Sequence, residues 1–443
     1  MNKEPTFQTR REFLRQTVLG GALTWTVPAF LSNTFAALGA EAGGRRIQPV
    51  TGREGTVLVV LQLAGGNDGL NTVVPYGNDD YHRARPRLGL GADKVLKLTD
   101  ELGLNPGLAG FKALYDAGQL AILQGVGYPN PNRSHFRSTE IWQTASDSSR
   151  YVREGWIGRY FDAACPGSDA TVGVSLGRHR PQAFSAKRPK GVNLDNPQNY
   201  RFITPGRPRP GQRNLLEESF RKLNELDEPM QGNPAGAMAA IDGLGPFGGS
   251  ALDFIQRTAL DAQVSSDRIR TIASRGTNQA SYPNSTLANS LKLVARLIGG
   301  GMPTRVYYLS QGGYDTHANQ PATHDRLLKE LGDSLQAFVK DLKEQGQLSR
   351  VLVITFSEFG RRVAENASGG TDHGAAAPMF VLGERVRAGL VGRHPSLAPP
   401  NLFRGDLMHE LDFRSVYATI LEDWLQTPSQ PVLGRAFPRV GLF

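Results

Sequence analysis

Cysteine is almost missing from this chain: Cys165 stands alone among 443 residues. One thiol excludes an intramolecular disulfide and a thiolate metal cluster, so any bound metal must be a hard ion held by oxygen and imidazole. Beyond the amino-terminal region there is no apolar run of the roughly 20 residues that a membrane-spanning helix needs, and no repeat at a fixed period. A compact basic stripe interleaved with aromatics is missing too. The formal net charge is +9, but the arginines and lysines are scattered, which excludes nucleic acid as a partner. That surplus attracts anionic small molecules or an anionic polymer of the cell envelope.

What is present begins with an address. Thr9–Leu14, with the pair Arg10 and Arg11, followed by the apolar stretch Thr17–Leu31, has the pattern of a twin-arginine signal peptide. Gly20, Gly21 and Pro28 make that stretch too short and too weakly apolar to anchor the chain, so cleavage is expected, with small residues at Ala40 and Ala42. The reading implies the twin-arginine translocation machinery as a partner, a periplasmic or extracellular location and no membrane span after cleavage. Residues 1–42 are the expected signal peptide, and residues 43–443 a single domain.

Hydrophobic residues at 39% and charged residues at 21% are globular composition, and 51 glycines with 28 prolines imply many tight loops. Several β-rich apolar runs empty directly into polar, glycine-rich clusters. Thr56–Leu63 leads into Gly65, Gly66, Asn67 and Asp68; Leu120–Gln124 into Asn132, Arg133, Ser134 and His135; Arg305–Leu309 into Gly313, Tyr314, Asp315, Thr316 and His317. Val351–Phe356 leads into Ser357, Glu358, Phe359, Gly360 and Arg361, while Asp372 and His373 precede a fifth run, Met379–Leu382. Between the third and fourth runs, Leu327, Leu328, Leu331, Leu335, Phe338, Val339 and Leu342 mark one face of a helix over 323–344. The pattern predicts an α/β fold with a mainly parallel sheet flanked by helices on both faces, and polar clusters gathered at its carboxyl edge. Helical patterns at 214–226, 251–272 and 287–298 suggest a helical insertion spanning about 183–300.

Carboxylates and imidazoles at such an edge can hold a divalent cation, and cations grip anionic esters. Asp68, Asp315, His317, Glu358, Asp372 and His373 are the candidate metal ligands. Ser134 and His135 are candidate catalytic groups, and Asn67, Arg133 and Arg361 candidate substrate contacts, arginine being suited to paired bonds with anion oxygens. Each also has a structural alternative. Asp68 fits a turn, Asp315 and Ser134 fit helix caps, and a lone histidine is commonly an ordinary imidazole. His324 ranks below His317 as a ligand, and His82 and His409 read as structural.

These clusters, together with Gly155–Tyr160 and the closing stretch from Gly405 and Asp406 to Leu425, resemble the bacterial family numbered 1501 among domains of unknown function. That family is similar in turn to the alkaline phosphatase and sulfatase superfamily. The resemblance implies one metal at Asp315, His317 and His373, and a second at Asp68, Ser134 and Glu358. Phe359 departs from it, standing where a paired histidine is expected. Cys165 lacks the surroundings of a sulfatase nucleophile. Two functions follow as expectations: an exported metal-dependent hydrolase of phosphate or sulfate esters, or a non-catalytic periplasmic binding or assembly protein on the same fold. The cofactor is a divalent ion in the first case and a structural ion or none in the second.

Overall fold

Strand β1 (Val57–Ala64) is apolar except for Gln62, the composition of a strand covered on both faces. In the computed structural model, which describes residues 55–166, 168–187, 191–194 and 268–443, its side chains alternate between two cores. Val57, Val59, Leu61 and Leu63 enter one and Leu58 and Val60 the other. Strands β8 (Val306–Gly312) and β9 (Val351–Phe356) flank β1, both parallel to it. Beyond β8 lie β6 (Gly173–Leu176) and β7 (Val192–Leu194), also parallel. Beyond β9 comes β12 (Ala377–Leu382), which runs antiparallel to its neighbours, then β5 (Leu120–Gly127) with β13 (Gly389–Val391) and β14 (Leu411–Asp412) parallel to it. The five expected strands are all in this sheet, and the fifth is the reversed one.

Helices cover both faces. After the short α1 (Asp79–Ala84), one core is filled from α2 (Ala109–Asp116), α5 (Thr286–Gly299) and α6 (Gln320–Glu344). The other is filled from α3 (His135–Thr144), α4 (Trp156–Ala164), α7 (Phe413–Thr419) and α8 (Ser429–Leu433). All seven apolar residues expected on one face of α6 are buried. At about 1.5–3 kcal/mol for each large side chain, that face outweighs the few tenths gained from an exposed ion pair such as Lys329–Asp333. Helix α6 joins β8 to β9 across β1, a parallel crossover with one strand between its ends.

Residues 1–42, where a signal peptide is expected, and residues 195–267, with the helical patterns at 214–226 and most of that at 251–272, lie outside the described residues. Of the remaining parts of the 183–300 span, β7 extends the main sheet and α5 packs into the core against α6. No helix among the described residues is long and apolar enough to cross a membrane.

Two small sheets complete the site's surroundings. One is formed by β2 (Val73–Val74), β3 (Leu96–Lys97) and β4 (Gly103–Leu104), the other by β10 (Arg361–Glu365) and β11 (Thr371–His373). Register fixes the level at which the central strands end. Gln62 of β1 faces Ser310 of β8 on one side and Phe356 of β9 on the other, so the loops after all three leave the sheet side by side.

Candidate metal centre

Gly65 turns the chain out of β1 at φ +119°, and a Cβ there would lie 2.5 Å from the Asp315 backbone nitrogen. Gly66 follows at φ +80°, and a Cβ on it would strike the Phe359 ring at 2.3 Å. Only glycine allows both the left-handed geometry and the close approach. The loops are then bonded to one another: Ser357 Oγ donates to the Leu63 carbonyl (2.7 Å) and accepts from Asn67 N (2.8 Å), and Gly65 N donates to Glu358 Oε1 (2.8 Å).

Arg361 fixes Asp315. Its side chain is wholly buried, and its guanidinium donates to the carbonyls of Gly65, Gly66, Tyr314 and Thr371 and to Asp315 Oδ1 (2.8 Å). The Asp315 side chain remains 47% exposed. What burial it has would raise its pKa. The hydrogen bond and the charge of Arg361 lead the effects that outweigh that and hold it at about 2. It is a carboxylate at any physiological pH.

Three imidazoles converge on that carboxylate. His373 Nε2 is 3.0 Å and His317 Nε2 3.1 Å from Asp315 Oδ1, while His135 Nε2 is 3.4 Å from Oδ2. The His317 and His373 Nε2 atoms are 2.9 Å apart, and ligand atoms of His135, Asp315 and His373 all fall within 4.8 Å of one another. The other ring nitrogens are tied to acceptors. His135 Nδ1 donates to Glu358 Oε1 (2.9 Å), His317 Nδ1 to Asp372 Oδ1 (3.2 Å) and His373 Nδ1 to the Arg133 carbonyl (2.8 Å). In a neutral imidazole a proton on Nδ1 leaves a lone pair on Nε2. All three lone pairs therefore face one carboxylate. Two such nitrogens and an oxygen at this spacing repel unless a proton or cation lies among them, and the tethered Nδ1–H is the usual arrangement of metal-binding histidines. The donor set fits a divalent cation.

The expected ligands thus separate into groups. Asp315, His317 and His373 are together, joined by His135, a candidate catalytic group that stands here as a further donor. Asp372 and Glu358 stand behind them, each orienting a histidine. The Asp372 pKa is lowered chiefly by the hydrogen bond from Asn366, against some burial, with His317 adding to it. Asp68 is not in the cluster. Its side chain is fully buried against Arg85 Nη1 at 2.7 Å, and Gln320 Nε2 donates to the same oxygen. Burial works against its charge, but Arg85, with His324 and Gln320, lowers its pKa below the ordinary value. A second ion at Asp68 is unsupported because a guanidinium already supplies the cation.

The expected substrate contacts are otherwise engaged. Asn67 is buried, and its Oδ1 accepts from Thr72 Oγ1 (3.1 Å) and pairs with His324 Nε2 (3.0 Å). The Arg361 guanidinium faces loop carbonyls, and Arg133 Nε donates to Asp406 (2.8 Å). Ser134 is exposed at the N-cap of α3, one residue before His135, and makes no capping hydrogen bond. Phe359 is buried with its ring 4.4 Å from that of His373 and 4.9 Å from that of His135, so an apolar wall occupies the side of the cluster where the resemblance expects an imidazole. Arg85 and Gln320 carry no signal in the sequence; Asp406 carries one, beside Gly405 in the closing motif, without a role attached to it.

The model of a family described as "Protein of unknown function (DUF1501)" matches residues 56–422, most of the chain. The chain belongs to this family. No curated protein matches it. Solved structures similar to it include the sulfatase PsFucS1 from Pseudoalteromonas sp. (11% identity, 86% of this chain and 68% of that one, TM-score 0.35). A protein in the alkaline phosphatase superfamily from Vibrio parahaemolyticus is similar at 10% identity, over 86% of this chain and 76% of that one, with a TM-score of 0.33. Alkaline phosphatase from the Antarctic bacterium TAB5 is similar at 13% identity, over 75% and 93%, with a TM-score of 0.29. Likeness at this level says nothing of chemistry, which rests on the side chains.

Proposed function

We propose that this DUF1501 protein is an exported, metal-dependent hydrolase of a phosphate or sulfate ester. The observation that carries the reading is the set of three imidazoles, each tethered through Nδ1, whose Nε2 atoms face the ionised Asp315. Asp315, His317, His373 and His135 would hold the ion. When bound, a divalent cation supplies positive charge to polarise the ester and offset the charge that develops on its oxygens.

The chain's own residues account for the rest. Ser134, exposed, free of a capping bond and next in the chain to His135, would attack phosphorus or sulfur through Oγ as the ester alcohol leaves; water would then release the acid and restore the hydroxyl. The amide groups of the first turn of α3 present the positive end of the helix to the anion. Export rests on the paired Arg10 and Arg11 with the apolar stretch behind them, and places the activity in the periplasm or outside the cell.

Protein secreted by its own signal and assayed on aryl phosphates and aryl sulfates with Mn, Mg, Zn or Ca is expected to turn over at least one substrate. Loss of that turnover in both Asp315→Ala and Ser134→Ala would support the reading; turnover that survives Asp315→Ala, or none with any ion, would end it. A second reading, a non-catalytic periplasmic binding or assembly protein with a structural ion or none, is favoured by Phe359 packed against two of the histidines. Protein purified without bound metal, and without turnover, would select it.

A further inference from the structure

Arg133 touches the cluster twice. Its carbonyl takes the Nδ1 proton of His373 at 2.8 Å, and the two residues after it are Ser134 and His135. Wherever the Arg133 peptide moves, the His373 ring, the serine and the His135 ring are affected together. The peptide lies before α3, outside regular structure, so secondary structure does not hold it. Its side chain does.

The Arg133 guanidinium donates through Nε (2.8 Å) and Nη2 to a single oxygen, Asp406 Oδ2. The Asp406 side chain is wholly buried, while that of Arg133 is 37% exposed. Asp406 itself is held at a tight turn, where Phe403 and Asp406 exchange backbone hydrogen bonds in both directions at 3.0 Å around Arg404 (φ 56°) and Gly405 (φ 87°). Arg362 of β10 braces the same turn, donating to the Arg404 carbonyl with its Nε 3.5 Å from Asp406 Oδ1. A buried carboxylate on a braced turn is a fixed point, and Arg133 is moored to it.

We infer that Asp406 is a positioning residue for the metal centre, acting through Arg133 to set the His373 ring and the approach of Ser134 and His135. It touches no reacting atom. Its effect passes from carboxylate to guanidinium, along one residue, to the carbonyl that orients a donor imidazole. Outer partners of this kind change metal affinity by about 10- to 100-fold when removed.

The inference rests on the metal reading above, and titration with Mn²⁺ or Zn²⁺ alone tests the two separately. Wild type, Asp406→Asn, Arg133→Met, the double variant and Met408→Ser, a half-exposed site on the same loop, are titrated by calorimetry with apo melting temperatures recorded. The expected result is an affinity loss of about 10- to 100-fold in each single variant, no greater loss in the double because both act on one path, and wild-type affinity in Met408→Ser. Arg133→Met leaves the buried carboxylate its Arg362 neighbour, so the test stands if Asp406→Asn does not fold. A merely structural role would lower apo melting temperatures with affinity unchanged, and that outcome, or independent losses that multiply in the double variant, would overturn the inference. Failure of the wild type to bind either ion would instead remove the metal reading, and this one with it.

Discussion

Asp68 and Asp315 follow adjacent parallel strands, β1 and β8, at the same edge of one sheet, yet they do opposite work. Asp68 is sealed in and neutralised from within: Arg85 lies against it, Gln320 bonds it, and no part of its side chain meets solvent. Asp315 is open, and apart from Arg361 it is faced by imidazoles whose charge depends on what else is bound. The contrast shows that a carboxylate beyond a strand end is no ligand by position alone. A partner with permanent charge makes it structural, and partners with lone pairs make it a receptor.

The largest effect expected is on the sealed side. Asp68→Ala leaves Arg85 buried without its counter-charge and is expected to cost about 3–5 kcal/mol in denaturant unfolding. Asp315→Ala takes a half-exposed carboxylate from buried Arg361, which keeps its four carbonyl acceptors, and is expected to cost less, about 1–3 kcal/mol. Similar losses from both would erase the distinction. Next in size is the response to metal: at an ion concentration about 100 times Kd the wild type should gain about 2.7 kcal/mol, Asp68→Asn, where it folds, should keep that gain, and Asp315→Ala should lose it, as read by thermal unfolding with and without Mn²⁺.

At Gly66→Ala a Cβ meets the Phe359 ring at positive φ; a loss of about 1–3 kcal/mol is expected, together with a weaker metal response as that ring, packed on His373, is displaced. The smallest effect is on pH. Burial lowers the pKa of His324, which lies beside Asp68, with Arg85 and Arg361 adding to that shift and Asp68 and Asp325 opposing it. The unfolded chain therefore takes up this proton first as pH falls through about 6.5, so stability present above that pH is lost below it until the folded group titrates too. His324→Gln should flatten the decline between pH 6.5 and 5.

Much of the sheet was legible in the residues because its strands are continuous apolar runs ending in glycine and polar clusters, and α6 because its buried leucines recur at helical spacing. The reversal of β12 left no such mark: Ala377–Leu382 is as buried and apolar a run as β5 and β9 beside it, and direction depends on how the chain returns to the sheet. Local signals also failed to separate the carboxylates. Asp68 and Asp315 both follow glycine-rich turns, and what divides them is Arg85, which comes from α1's C-cap and has no motif of its own.

By itself the sequence determined which side chains were available for chemistry: oxygen and imidazole donors, one thiol too few for a disulfide, and polar clusters timed to the ends of strands. Only the tertiary structure decided their partners. Hydrogen bonds and ion pairs are set by distances across the fold, and residues such as Arg133 and Asp406, 273 positions apart, meet only when parallel strands bring their loops to one edge.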